Sequence, residues 1–110
     1  MRKSIYPILV LLFFSSSLPA VLARDAARPE LTGEELFKTH CAVCHPEGGN
    51  IINPAKTLHK KDREANKITN VEDIIRQMRK PGPGMTPFDK TVVSDPDAKK
   101  LAEYILKKFP

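Results

Sequence analysis

The chain has 110 residues, 41% of them hydrophobic, a formal charge of +5, two cysteines and no tryptophan. That length excludes more than one small domain. A domain so small buries a modest share of its surface and needs a staple such as a disulfide, a metal or a cofactor.

In chain order, Arg2 and Lys3 precede the apolar run "IYPILVLLFF", and "SSSLPAVLA" follows with small residues at its end. This is the layout of a secretory signal peptide, with Val21 and Ala23 suited to the last positions before a cut. Cleavage is expected after Ala23, so that residues 1–23 are a leader and 24–110 the functional domain. An uncleaved anchor competes with this, since Ile5 to Ala23 approaches the roughly 20 apolar residues that span a bilayer. Three consecutive serines and two prolines weaken that span. No cysteine lies near the cut for lipid attachment, so a soluble, exported protein with no stable membrane insertion is expected.

Thr32 is placed to cap a first helix and Glu35, three residues on, to complete a capping box. Leu36 and Phe37 follow on that helix, which is expected to run into the cysteine motif, with Gly33 and Phe37 on one face. The stretch "PEGGNIINP", Pro46 to Pro54, has loop composition. The charged segment from Lys56 to Asn66 allows a short exposed helix. Asn70 can cap the next helix, whose apolar residues Val71, Ile74, Ile75 and Met78 follow the 3.6-residue period. Pro81 ends it, and "PGPGMTPF" reads as a rigid loop. A last helix begins at Ser94 or Asp95, with Pro96 in its first turn and Asp97 complementing its dipole. Leu101, Tyr104 and Ile105 form its buried face. Alternating β-branched runs are absent outside the short "TVV", so the domain reads as all-α.

The motif "CAVCH" carries the chemistry. A redox dithiol normally starts a helix after a strand, and no such strand is predicted. A zinc site needs three or four converging protein ligands, and no second CxxC or HxxxH completes one. Covalent haem attachment remains, for which C-x-x-C-H is the motif. Two thiols one helical turn apart can each add to a vinyl group on one porphyrin edge, and the next residue then presents its imidazole to the iron. Export agrees with this, both cysteines are consumed, and a haem supplies the apolar core that a chain with only Phe37, Phe88, Tyr104 and Phe109 as its mature aromatics otherwise lacks.

The sixth iron ligand has four candidates. Met78 belongs to an apolar stripe, His59 sits in a lysine-rich stretch, and His40 should project away from the iron face that His45 occupies. Met85 lies in a loop flanked by Pro81, Pro83 and Pro87, which fix the backbone, and by Gly82 and Gly84, which let it approach a ring. Met85 is therefore expected to bind the iron, with the soft thioether favouring the reduced state.

The ordered set "GEELFKTHCAVCH", "NIINPAKTL", "NVEDIIRQM", "GMTPF" and "KKLAEYIL" resembles the class I c-type cytochromes. Within them it is most similar to the small soluble cytochromes that replace plastocyanin in photosynthetic lumens and to their bacterial relatives. The resemblance implies a small cytochrome c fold in which Gly33 and Phe37 cross against Tyr104 of the last helix. It implies one haem c held by thioethers from Cys41 and Cys44, with His45 and Met85 as axial ligands. It places Gln77 near the haem edge, and a backbone carbonyl near Asn53 or Pro54 as the group that orients the His45 imidazole. The chain departs from the pattern at Thr86, where proline usually follows the methionine, and in its charge. Lys56, Lys60, Lys61, Lys80, Lys90, Lys99 and Lys100 form a solvated surface that can steer docking onto an acidic redox partner.

The expected function is a monomeric, periplasmic carrier of single electrons between redox proteins, not an enzyme and not a nucleic-acid binder. A haem enzyme or sensor with an open or switchable sixth position, or a haem subunit of a larger redox complex, are the alternatives.

Overall fold

The computed structural model describes residues 29–110, so the expected leader lies outside the described residues. Among those described there are four α-helices, one 3-10 turn and no strand. Helix α1, Gly33–His40, begins as expected: the Glu35 N–H donates to Thr32 Oγ1 and the Thr32 N–H donates to the Glu35 carboxylate at 2.8 Å. It stops earlier than expected. The Cys41 and Ala42 amides both donate to the Phe37 carbonyl at 2.9 Å, which breaks the ladder. Pro46 then forces His45 out of the helical region, to φ −118° and ψ 54°. The cysteine motif is thus a turn, closed by the His45 N–H on the Cys41 carbonyl at 2.8 Å, and it leads into the 3-10 turn Pro46–Gly48.

Helix α2, Lys60–Ala65, is shorter than the charged segment that contains it and is not wholly exposed, because Arg63 is buried. Helix α3, Val71–Arg79, is capped by the Asn70 side chain, which accepts from the Asp73 N–H at 2.8 Å. Helix α4, Asp95–Lys108, is capped by Ser94 and has its proline in the first turn.

The core lies where α1, α3 and α4 meet, built from Leu36 and Phe37, from Ile74 and Met78, and from Leu101 and Ile105. A Cβ on Gly33 would stand 2.5 Å from the Lys100 carbonyl oxygen and 2.7 Å from the Tyr104 Cβ, so only glycine lets α1 lie this close on α4. The Phe37 ring packs against Tyr104 and Phe109, with centroids 5.5 and 5.3 Å away. Tyr104 itself is half-buried, and Ala98 and Ala102 complete the α4 face that the periodicity left incomplete. This crossing fixes the base from which the cysteine turn projects.

Candidate haem site

Cys41, Cys44, His45 and Met85 all line one cavity of about 480 Å³. One wall is the turn that follows α1. The other contributions come from the loop after the 3-10 turn, from Asp62 and Arg63 of α2, from α3, from the loop Pro81–Phe88 and from Ile105 of α4. Gln77 and Met78 of α3 also line it, so Met78 serves the core and the cavity together. His59 is exposed and does not line the cavity, its ring standing edge-on to Phe109 at 5.7 Å. His40 is half-buried at the cavity and meets the Phe88 ring edge-on at 5.9 Å.

His45 is oriented from its own turn. Its Nδ1 lies 2.7 Å from the Gly49 carbonyl oxygen, an atom that can only accept, so Nδ1 carries the proton and Nε2 keeps a free lone pair for a metal. The orienting carbonyl is therefore that of Gly49, not one near Asn53 or Pro54. The latter segment shapes the loop instead. Asn50 Oδ1 accepts from the Ile52 and Asn53 amides at 3.0 and 2.9 Å and curls the chain over the cavity. The turn that carries Gly49 is held by Gly48, at φ +79°, where a Cβ would come within 2.5 Å of the Phe109 ring. Phe109 therefore buttresses the histidine wall from behind.

The methionine loop is fastened at its far end. The Phe88 N–H donates to the Met78 carbonyl at 2.9 Å. Arg79 donates through Nη1 to the carbonyls of Phe88 and Val93, at 2.9 and 2.8 Å, and through Nη2 to Asp95 at 3.0 Å. Arg79 was not among the residues expected to serve the site. Its signal was available in the sequence, because position 79 is eight residues beyond Val71 and falls on the apolar stripe of α3, where a charge needs a purpose.

The donor chemistry separates the readings of the cysteine pair. Burial, and to a lesser degree Cys44, pushes the Cys41 thiol up to about 11, far from the activated thiolate of a redox dithiol. Among the described residues no three His, Cys, Asp or Glu side chains gather into a cage for a lone metal ion. Two thiols, an imidazole with a free Nε2 and a thioether around one large, mostly apolar cavity fit a haem instead.

The family model for cytochrome c oxidase, cbb3-type, subunit III, a cytochrome c domain, matches residues 28–105. Cytochrome c6 of Rippkaea orientalis is 39% identical over 99 residues, covering 89% of this chain and 85% of the relative. The chain belongs to the class I c-type cytochromes. Cytochrome c6 of Synechocystis is 36% identical to it over 104 residues, covering 86% of each chain. Among solved structures, outer membrane cytochrome F from Geobacter sulfurreducens is 50% identical with a TM-score of 0.69, covering 71% of this cytochrome and 99% of that chain. Cytochrome c6C from a Synechococcus species is 30% identical with a TM-score of 0.66, covering 70% of this cytochrome and 93% of that one. The small cytochrome c fold expected from the sequence is thus the fold observed. Like its family, the cytochrome carries one covalently bound haem c and transfers electrons rather than catalysing a reaction. Among its described residues no helix is long and apolar enough to cross a membrane.

Proposed function

We propose that residues 24–110 form a periplasmic electron carrier, released from a leader cut after Ala23, with haem thioethers at Cys41 and Cys44 and axial ligands His45 and Met85. When bound, the haem supplies one-electron exchange between ferric and ferrous iron. The observation that carries the proposal is the convergence of these four side chains on one cavity, with His45 Nδ1 committed to Gly49 and Nε2 free. The protein's part is to hold. The Gly49 carbonyl fixes the imidazole plane and Arg79 fastens the loop that carries Met85, so that an iron held by both His45 and Met85 would offer no open position to a substrate.

The test is absorption spectroscopy of the purified ferric and ferrous protein beside Met85→Ala. A weak near-infrared band of methionine sulfur on ferric haem, present in the wild type and lost in the variant, is expected. A wild type without that band that readily binds carbon monoxide when reduced would move the reading to a haem enzyme or sensor.

The partner is proposed to present an acidic face to a monomeric cytochrome. Lys60, Lys90, Lys99 and Lys100 are paired with Glu64, Asp95, Glu103 and Glu30, whereas Lys56, Lys61 and Lys80 have no ion pair among the described residues. Lys56 stands at the cavity beside Val43 and Ile52, which are 77% and 58% exposed and give its mouth an apolar rim. Transfer rates should fall as salt rises. Rates that stay flat across ionic strength would remove electrostatic docking. A second reading, a haem subunit of a larger redox complex, is favoured by the match to a family of oxidase subunits. Comigration of the haem with a larger assembly in a native periplasmic and membrane extract would establish it, and elution as a free monomer would dismiss it.

A further inference from the structure

We infer that Ile52 is a positioning residue that braces the methionine loop from the histidine side of the haem cavity, holding Gly84, and through it Met85, against displacement by a competing ligand. The inference rests on the proposed ligation by Met85 and goes beyond it, because that reading assigns Ile52 to the apolar rim of the mouth alone.

The loop Pro81–Phe88 is fastened at its far end, where the Phe88 amide meets the Met78 carbonyl and Arg79 meets the Phe88 carbonyl. Between residues 81 and 87 no backbone amide or carbonyl makes a hydrogen bond to another element among the described residues. Nothing lies within 4 Å of a Cβ at Gly82, so the entry to the loop is unsupported as well. Gly84 is different. Its φ is +91°, and a Cβ there would stand 3.1 Å from Ile52 Cγ2 and 3.9 Å from Ile52 Cδ1, so its neighbour is a side chain from the opposite wall.

Ile52 is itself held. Its amide donates to Asn50 Oδ1 at 3.0 Å, and Asn50 Nδ2 donates to the Lys56 carbonyl at 2.9 Å. The Ile51 amide donates to the Cys44 carbonyl at 3.1 Å, which ties this segment back to the cysteine turn. At 58% exposure, Ile52 places the contact at the mouth and not in the depth of the cavity. A β-branched side chain is stiff at χ1, so Cγ2 acts as a fixed stop. Gly84 immediately precedes Met85. A loop movement large enough to withdraw Met85 separates Gly84 from Ile52 and returns the apolar area between them to water. The contact therefore stabilises the closed loop against local opening. A docking rim needs an apolar side chain here but no contact with Gly84. Ile51, 62% exposed and outside the cavity lining, would serve a rim equally well.

The experiment is stopped-flow replacement of Met85 by imidazole in the intact ferric haem protein, at imidazole concentrations where the rate has levelled off and is set by loop opening. In that exchange an iron–sulfur bond breaks and an iron–nitrogen bond forms, with no electron gained or lost. Ile52→Ala is expected to raise the limiting rate about fivefold. Ile52→Val, which keeps Cγ2, should stay within about twofold of wild type. Ile51→Ala, which removes the neighbouring exposed side chain, should match wild type. The melting temperature of I52A should also stay near wild type, as for an ordinary surface change. The near-infrared methionine band of the wild type, recorded first, separates the two proposals. A wild type without it refutes the ligation and this inference with it, whereas a band together with an unchanged I52A rate overturns this inference alone. Equal acceleration by I51A would overturn it too, since the rim as a whole would then be at work. So would an I52A melting temperature that falls in step with the faster exchange, which would assign Ile52 to general stability. Should I52A not take up haem, Ile52→Ser is measured in its place. If neither assembles while I52V does, Ile52 serves the fold rather than the loop, and the inference fails.

Discussion

Replacing Gly33 by alanine tests how the two terminal helices are held together. The added methyl would stand 2.5 Å from the Lys100 carbonyl oxygen and 2.7 Å from the Tyr104 Cβ, so it meets backbone and the root of a side chain rather than a flexible tip. Relief requires α1 to move off α4. Overpacking of this kind costs about 1–3 kcal/mol. The better helix propensity of alanine returns at most about 1 kcal/mol, and less at the first helical position. The net loss is then about 1–2 kcal/mol, which for a domain of this size lowers the melting temperature by roughly 5–15 °C. Thermal melts of the haem-loaded protein, followed by far-ultraviolet circular dichroism and by haem absorption, would read the change. Lys61→Ala is the control, because that side chain is exposed on α2, away from the crossing and outside the cavity lining. Its effect should stay within about 0.5 kcal/mol, as for an ordinary surface change. A Gly33→Ala protein that melts with the wild type would refute the close-crossing argument.

Arg79→Met should leave the Phe88 and Val93 carbonyls without their donor and cost about 1–3 kcal/mol. The near-infrared methionine band should then disappear at a lower temperature than in wild type, and an unchanged thermal loss of that band would deny Arg79 its fastening role. The haem-free chain should show no cooperative, native-like melt, because the cavity walls then enclose nothing; calorimetry of the apo protein decides this. Stability should decline in acid. Glu35 sits below its ordinary 4.5 through hydrogen bonds from Thr32, and Asp73 below its ordinary 3.8 through the Thr69 amide and Arg76. Asp95 is lowered from the same ordinary value by its hydrogen bond with Lys90, with Arg79 adding to it. A carboxyl lowered on folding contributes fully above its unfolded value and loses that contribution as pH falls through the folded value. Melting temperature should thus hold steady above about pH 4.5 and decline below it, while a melting temperature that rises on acidification would contradict the assignment.

The parts of the fold that depend on neighbours along the chain are readable from the amino-acid order alone. Thr32 with Glu35, Asn70, Ser94 with Pro96, and the stripe through Ile74 and Met78 are local devices, and each appears where the spacing puts it. The Gly33–Tyr104 crossing, though long-range, is legible through the family resemblance. What escapes is set by tertiary partners. Arg63 sits in a run of charges that reads as solvated, and only the carbonyls of Leu58 and Phe109, one of them 46 residues away, show why it is buried. The orienting contact of His45 was sought too far along the chain, because the left-handed backbone at Glu47 and Gly48 that folds Gly49 back onto the imidazole leaves only a faint trace in "PEGG". The early end of α1 was within reach, since Pro46 already disfavours a helical His45.

The fastening by Arg79 has a consequence for how this protein opens. One side chain grips the carbonyls of Phe88 and Val93 and the first residue of α4, while the Phe88 amide grips the last turn of α3. Releasing the segment around Met85 by more than a local bend therefore means loosening the start of α4 in the same event. Slow hydrogen exchange at the Phe88 amide should then share its opening energy with the Ala98 amide, which donates to Ser94 at the head of α4. The loop and the helix start form a single cooperative unit. On the proposed ligation, the Met85 side of the haem would be guarded by the stability of that unit, not by the stiffness of three prolines.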